Sequence, residues 1–386
     1  MQAQPLYDFA PLAQMAFLAA LIGLGPLVWL CLRHRGSTPV VRLRALSLLA
    51  LFLTFDLILV GAFTRLTDSG LGCPDWPGCY GSATPLGASQ AIAAAQSALP
   101  SGPVTHGKAW IEMVHRYLAA GVGVLITVLT IASWVQARSH RTAVSPWWPT
   151  LTLVWVCLQG AFGAWTVTMK LYPAIVTVHL LLGIGLLSLL AAQSQAYERK
   201  PLPLSAGLHA GVVTVFALCV IQVALGGWVS TNYAVLACSD FPTCQGGWWP
   251  SMDFAHGFTV LRELGAGKDG GYLPFAALTA IHMVHRMGAA VVFSAMALLV
   301  WRLRADGREP ARRWAWAITA VAGWQFASGL SNVVLGWPLV AAVAHTAGAA
   351  MLIALLTVLL VRSSQARRSP QASRLRARQR SLAASR

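Results

Sequence analysis

Nine stretches of this 386-residue chain run for about twenty residues with scarcely a charge, the length a helix needs to cross a bilayer's hydrocarbon core. Lipid offers the backbone no hydrogen-bond partners, so each run must satisfy its own amides. The runs lack two-residue alternation, which favours helices over a barrel. Spans are expected at 12–32, 45–65, 110–137, 147–168, 173–196, 206–229, 276–304, 314–336 and 341–362. The fold class is therefore an all-α polytopic membrane protein.

The formal charge of +16 does not point to nucleic acid, because the basic residues gather between alternate spans: Arg33, Arg35, Arg42 and Arg44, then Arg138 and Arg141, Arg199 and Lys200, and Arg302 to Arg313. From Arg362 onward the chain carries eight arginines and no acid, the signature of a disordered tail against an anionic inner leaflet. By the positive-inside rule these segments face the cytoplasm, which sets the amino terminus outside and the carboxyl terminus inside. The opening MQAQPLYDFA lacks the Arg-rich, acid-free character of a transit peptide, so a bacterial inner membrane is the expected location.

Two outward-facing segments, GLGCPDWPGCYG at 70–81 and LACSDFPTCQGG at 236–247, carry cysteine pairs of the same spacing, Cys73 with Cys79 and Cys238 with Cys244. In an oxidising compartment such pairs are candidate disulfides. Cys31, Cys157 and Cys219 lie inside apolar runs and are expected to be small buried thiols. The cysteine segments are 165 residues apart, and other landmarks repeat near that offset: MVHR at 113–116 and 283–286, Gln159 and Gln325, His179 and His345. The chain thus reads as an internal duplication of two pseudo-twofold-related four-helix bundles. The expected division is an extra helix and loop at 1–44, a first bundle at 45–200, a second at 201–362, and the basic tail at 363–386.

His115, His179, His285 and His345 all fall inside expected spans, where an ionisable side chain is costly enough to signal function. His115 lies five residues past Trp110, His179 six past Pro173 and His345 seven past Pro338. At 1.5 Å per residue that places them about 8 to 10 Å below the outer surface. Two imidazoles at similar depth on different helices of one bundle suit axial ligation of a haem iron. Zinc, which usually takes three or four protein ligands, suits the pattern poorly. Arg116 and Arg286 follow the first histidine of each pair; a step of about 100° turns them off the ligand face, toward a haem propionate or the interface. Glu112 lies three residues before His115, whereas the second half has His282 there, which suggests chemistry in the first bundle and electron transfer in the second. Arg65 and Asp68 at the outer edge would pair with each other or face a haem.

The segments GAFTRLTDSGLGCPDWPGCYG, EMVHR at 112–116, TVHLLLG at 177–183, MVHR at 283–286 and AHTAGA at 344–349 closely resemble the heme A synthase family of bacteria and mitochondria, with similarity from about residue 45 to 362. The resemblance implies oxidation of the C8 methyl of heme O to the formyl of heme A through a hydroxymethyl stage, for terminal cytochrome oxidase. It implies that His115 and His179 hold the substrate haem, that Glu112 assists catalysis, and that His285 and His345 bind a heme b cofactor. It implies disulfides Cys73–Cys79 and Cys238–Cys244, and a setting that includes heme O synthase and cytochrome oxidase assembly factors. The family core has eight spans, so helix 12–32 is a departure. No G-x-G-x-x-G follows a strand, so redox equivalents are expected from a membrane electron carrier. The same four histidines would also serve a di-haem b membrane cytochrome exchanging electrons with quinone. Glu112, present in one half only, argues for an enzyme.

Overall fold

The computed structural model describes residues 6–139, 144–268 and 271–368. Among these residues the elements are almost entirely helical: α1 (Leu12–Arg33), α2 (Pro39–Leu66), α3 (Ser89–Ala98), α4 (His106–Ser139), α5 (Trp147–Thr168), α6 (Pro173–Glu198), α7 (Ala206–Thr231), the short α8 (Phe254–Gly257), α9 (Phe275–Ala305), α10 (Glu309–Val334) and α11 (Leu339–Arg367). The chain is an all-α multi-pass membrane protein. Among the described residues eight helices are long and apolar enough to cross a membrane. The ninth expected span, α10, has the length but falls short in hydropathy. Three tryptophans, Gln325, Ser328 and Asn332 dilute its apolar residues, and Glu309, Arg312 and Arg313 occupy its first turns.

Local signals set the helix starts. Thr38 accepts a hydrogen bond from the Val41 amide with Pro39 at the first helical position, so α2 begins six residues before the expected span. Ser205 caps α7 through the Leu208 amide at 3.2 Å, and Pro173 opens α6. At the other extreme α11 continues to Arg367, five residues into the expected tail, because its last turns are tied to α6. Arg362 Nε donates to Gln195 Oε1 at 2.8 Å and Gln365 Nε2 to the Gln195 carbonyl at 2.9 Å. The rest of the expected disordered tail lies outside the described residues.

Helices α2, α4, α5 and α6 pack in sequence around one another, and α7, α9, α10 and α11 do the same; α6 and α11 make the main contacts between the two groups, together with α2 and α7. Equivalent residues of the two halves meet at both ends of the molecule. At the cysteine-loop end Arg65 Nη2 donates to the Ser230 carbonyl at 2.6 Å and the Tyr233 hydroxyl bonds Asp68 at 2.8 Å, each 165 residues apart. At the basic end Arg362 pairs with Glu198 at 3.3 Å, 164 residues apart. A residue can touch its own repeat only near the symmetry axis, so these contacts mark an axis running along the helices from end to end. Arg65 and Asp68 also pair with each other at 3.3 Å, and the Arg65 guanidinium lies 4.0 Å above the Tyr233 ring.

The extra helix α1 packs mainly on α4. Small residues let the two backbones approach: a Cβ on Gly121 would lie 2.8 Å from Ile22 Cγ2, and one on Gly23 2.9 Å from Val124 Cγ1. Ahead of α1, Tyr7 and Asp8 pair in parallel with Trp76 and Pro77, which brings the amino-terminal segment to the cysteine-loop end. Of the three free thiols only Cys219 is buried; Cys31 and Cys157 are exposed, contrary to the sequence expectation. Their runs are apolar because lipid solvates them, and an apolar span does not imply a packed side chain.

Candidate haem-ligand pairs and the loops above them

The two cysteine loops are built alike. Cys73 is bonded to Cys79 and Cys238 to Cys244, with Cα atoms 4.9 and 4.8 Å apart. Within each loop an aspartate gathers the backbone amides. Asp75 accepts from Tyr80 N at 2.6 Å and Gly81 N at 2.8 Å, while Asp240 accepts from Gln245 N at 2.7 Å and Gly246 N at 3.1 Å. The turn needs left-handed backbone at both positions, φ 70° at Gly81 and 77° at Gly246, which only glycine adopts at little cost. The Thr243 hydroxyl, then the Gly246 and Gln245 amides, hold the Asp240 carboxyl down at about 2. Tyr80 is pushed the other way, upward, by burial and by the Asp75 charge beside it.

Arg116 and Arg286 fasten these loops to the helices that carry His115 and His285. Arg116 Nη1 donates to the carbonyls of Asp75 at 2.9 Å, Pro77 at 3.1 Å and Gly78 at 2.5 Å. Arg286 donates to the carbonyls of Asp240 at 2.9 Å, Thr243 at 2.8 Å and Cys238 at 3.1 Å. The 100° step from histidine to arginine thus points at the loop above the site, and most donors that a propionate would use are engaged by loop carbonyls. Among the described residues Arg286 Nε is buried without a partner.

Glu112 is buried and fully engaged. Its Oε1 pairs with Arg116 Nη2 at 2.5 Å, and its Oε2 accepts from the Cys73 amide at 2.8 Å. It therefore links the His115 helix directly to the first disulfide. At the corresponding place His282 Nδ1 meets the Ala234 carbonyl at 3.0 Å, in the short turn before Cys238.

The four intramembrane histidines each rest on a glycine of a neighbouring helix. A Cβ added to Gly61, Gly163, Gly226 or Gly329 would lie 3.1 Å from Cε1 of His115, His179, His285 or His345, respectively. Any side chain there would push the imidazole aside, so the glycines seat the rings. In each half the two rings lie within electrostatic reach of each other, on different helices. Among the described residues no cluster of three or more His, Cys, Asp or Glu could hold a bare metal ion. An isolated imidazole pair instead suits an iron that brings four nitrogens of its own. Among the described residues His115 Nδ1 and His179 Nδ1 have no side-chain hydrogen-bond partner, and each pair leaves its other ring nitrogens for a ligand between the helices. The residues present therefore fit a haem in each half.

Residues 44–357 match the model of the COX15-CtaA family, described as cytochrome oxidase assembly protein. That span runs from α2 into α11 and takes in both histidine pairs and both cysteine loops. The chain belongs to this family. Its relatives include the heme A synthase of Shewanella oneidensis, 36% identical over 324 residues that cover 81% of this chain and 93% of that protein. The heme A synthase of Halalkalibacterium halodurans is 26% identical over 78% of this chain and 91% of its own, and that of Alkalihalophilus pseudofirmus 26% over 76% and 87%. The family match leaves out α1, in keeping with a helix added to a duplicated core.

Sequence reasoning singled out the histidines, Glu112, the arginines and the cysteines, and the structure brings each set together in its own half. It missed the seat glycines as ligand supports, although Gly61 and Gly226 stand 165 apart and Gly163 and Gly329 166 apart, a signal the repeat carries. It also missed Gln222 and Ser328, which have no counterpart in the first half and so no repeat to reveal them.

Proposed function

We propose that this chain is a heme A synthase, oxidising the C8 methyl of heme O to the formyl group of heme A for terminal cytochrome oxidase. The observation that carries this reading is the pair of glycine-seated imidazoles in each half of a chain whose relatives bear that name. His115 and His179 hold the substrate heme O; His285 and His345 hold a heme b cofactor, which when bound supplies one-electron redox chemistry. The methyl group passes through a hydroxymethyl stage to a hydrate that loses water; on balance each oxidation gains one water molecule and loses two protons and two electrons, the electrons passing to the membrane carrier.

This chain's residues supply position and proton control. The seat glycines fix the ring planes, and the disulfide loops, clasped by Arg116 and Arg286, close the cysteine end of each bundle. Glu112 sits between Arg116 and the first loop, a carboxylate able to accept and return a proton without leaving its hydrogen bonds. The domain division follows: α2 to α6 form the substrate bundle, α7 to α11 the cofactor bundle, and α1 an accessory. The disulfides favour an oxidising compartment for the cysteine loops, and the arginines gathered at the opposite end favour the cytoplasm there, in a bacterial inner membrane with the amino terminus periplasmic. Electrons pass to a membrane carrier, and heme O synthase and oxidase assembly factors are the expected neighbours.

The deciding experiment is chromatography of haems extracted from cells that express the chain together with a source of heme O. Heme A, with the hydroxymethyl intermediate, is the expected product. Two tightly held b haems with heme O left unconverted would instead identify a di-haem electron-transfer cytochrome.

A further inference from the structure

All four imidazoles sit on glycine through the same edge, yet what lies behind Nδ1 differs between the halves. Ser328, next to the seat Gly329, places its hydroxyl 3.0 Å from His345 Nδ1 while donating to the Trp324 carbonyl at 2.8 Å. With its proton committed, this oxygen can only accept, so the imidazole carries its proton on Nδ1 and keeps the Nε2 lone pair for a metal. Gln222, four residues before the seat Gly226, places its amide nitrogen 3.0 Å from His285 Nδ1 while donating to the His285 carbonyl at 2.9 Å. When Nε2 is given to iron the ring proton moves to Nδ1, and a half-turn of the amide, which gives up the bond to the His285 carbonyl, presents Oε1, otherwise buried without a partner among the described residues, as its acceptor. Room for this side chain comes from Gly288, where a Cβ would lie 2.4 Å from Gln222 Oε1.

The first half lacks all three features. Four residues before its seat Gly61 stands Leu57, next to its seat Gly163 stands Phe162, and three residues after His115 stands Leu118 where the second half has Gly288. Among the described residues His115 Nδ1 and His179 Nδ1 are accordingly buried with no side-chain hydrogen-bond partner. The backbone carbonyls of Gln159 and Gln325 lie near His179 and His345 alike, so the Ser328 hydroxyl is what separates these two rings. Moreover Gln159 Nε2 approaches His179 at Nε2, 3.4 Å away, on the nitrogen a metal would use. In one half the protein holds the rear of the ring; in the other it competes for the front.

A hydrogen bond to the far nitrogen of a ligating histidine fixes its tautomer and raises its basicity, and losing such a bond typically costs about 10- to 100-fold in metal affinity. Resting on the haem reading above, we propose that Gln222 and Ser328 are positioning residues that make the second half the retentive haem site, and that Leu57, Leu118 and Phe162 leave the first half a site built for exchange. A substrate haem must arrive and depart with every turnover, whereas a cofactor haem must stay.

The test uses the full-length chain loaded with heme b in two backgrounds. His115→Ala with His179→Ala leaves only the second site, and His285→Ala with His345→Ala only the first. The rate of haem transfer to excess apomyoglobin is measured in each, together with the low-spin electron paramagnetic resonance signal and the midpoint potential. Transfer from the second site is expected to be at least about 10-fold slower than from the first. Gln222→Leu and Ser328→Ala should each accelerate it by about 10-fold or more and shift the potential, while Ser328→Thr, which keeps the hydroxyl, should stay near the parent. In the first-site background, Leu57→Gln with Leu118→Gly should slow transfer toward the second-site value. Unchanged second-site transfer in both Gln222→Leu and Ser328→Ala, or a first site that is already the slower, would overturn the proposal. Absence of a bis-imidazole spectrum from both backgrounds would instead overturn the haem reading itself, and this inference with it.

Discussion

The halves of this protein share a frame and differ in what they do with it. Both carry a six-residue disulfide loop gathered by an aspartate, an arginine clasping that loop, and two histidines seated on glycines. They differ at Glu112 against His282, and at Leu57, Leu118 and Phe162 against Gln222, Gly288 and Ser328. On the function proposed above, the shared features would build the compartment and the divergent ones would act on its occupant. Duplication would then have supplied two like frames, and a handful of substitutions would make one of them catalytic and the other retentive.

The hardest blow to this comparison is removal of a ligand. His285→Ala or His345→Ala should abolish the tightly held b haem in the purified protein, read from its absorption spectrum, whereas His115→Ala should leave that haem in place and abolish heme A formation. Loss of the same haem from both halves would end the division of labour. Next comes Glu112→Gln, which keeps shape but removes the charge facing Arg116. The expected result is bound haem with conversion lowered by about 100-fold, within the range usual for a positioned proton carrier, measured by haem chromatography. Gly61→Ala and Gly226→Ala sharpen the shared part: a Cβ 3.1 Å from Cε1 must move the ring by a few tenths of an ångström. Each should weaken haem retention by roughly 10-fold in its own half only, as expected when a ligand's support is lost.

Smaller effects test the loops. Opening either six-residue disulfide by a Cys→Ser change should cost about 2 kcal/mol of stability, equally in the two halves, by thermal unfolding in detergent. A loss of activity confined to Cys73→Ser or Cys79→Ser would assign the first disulfide a redox duty. Smallest is the acid response of the second loop. The Asp240 carboxyl is held at about 2, below its ordinary value of 3.8, so its contribution is complete above that ordinary value and fades as pH falls through about 4 toward 2. Hydrogen exchange at the Gln245 and Gly246 amides should accelerate only in that window.

Much of this was legible from the chain. Apolar runs locate helices because lipid leaves the backbone no other choice, and the observed ends lie within a few residues of the expected ones except at α2, where Thr38 and Pro39 start the helix early, at α10, which begins five residues early at Glu309, and at α11, where contacts with α6 prolong it. Repeated MVHR and cysteine motifs exposed the duplication, and intramembrane histidines are too costly to be idle. The exposure of Cys31 and Cys157 was not legible, because hydropathy does not distinguish a lipid-facing thiol from a packed one.

The sequence by itself determined where the long helices lie, the repeat that pairs them into halves and the four imidazoles, since each follows from local composition or from identity between repeats. Only the tertiary structure decided that Arg116 and Arg286 turn to loop carbonyls, that Arg65 meets its own repeat at Ser230, and that Gln222 and Ser328 stand behind their histidines while Leu57 and Phe162 do not. These are directions and distances between helices far apart in sequence. They depend on how two cylinders are rotated and how closely a glycine lets them approach, which no single helix encodes.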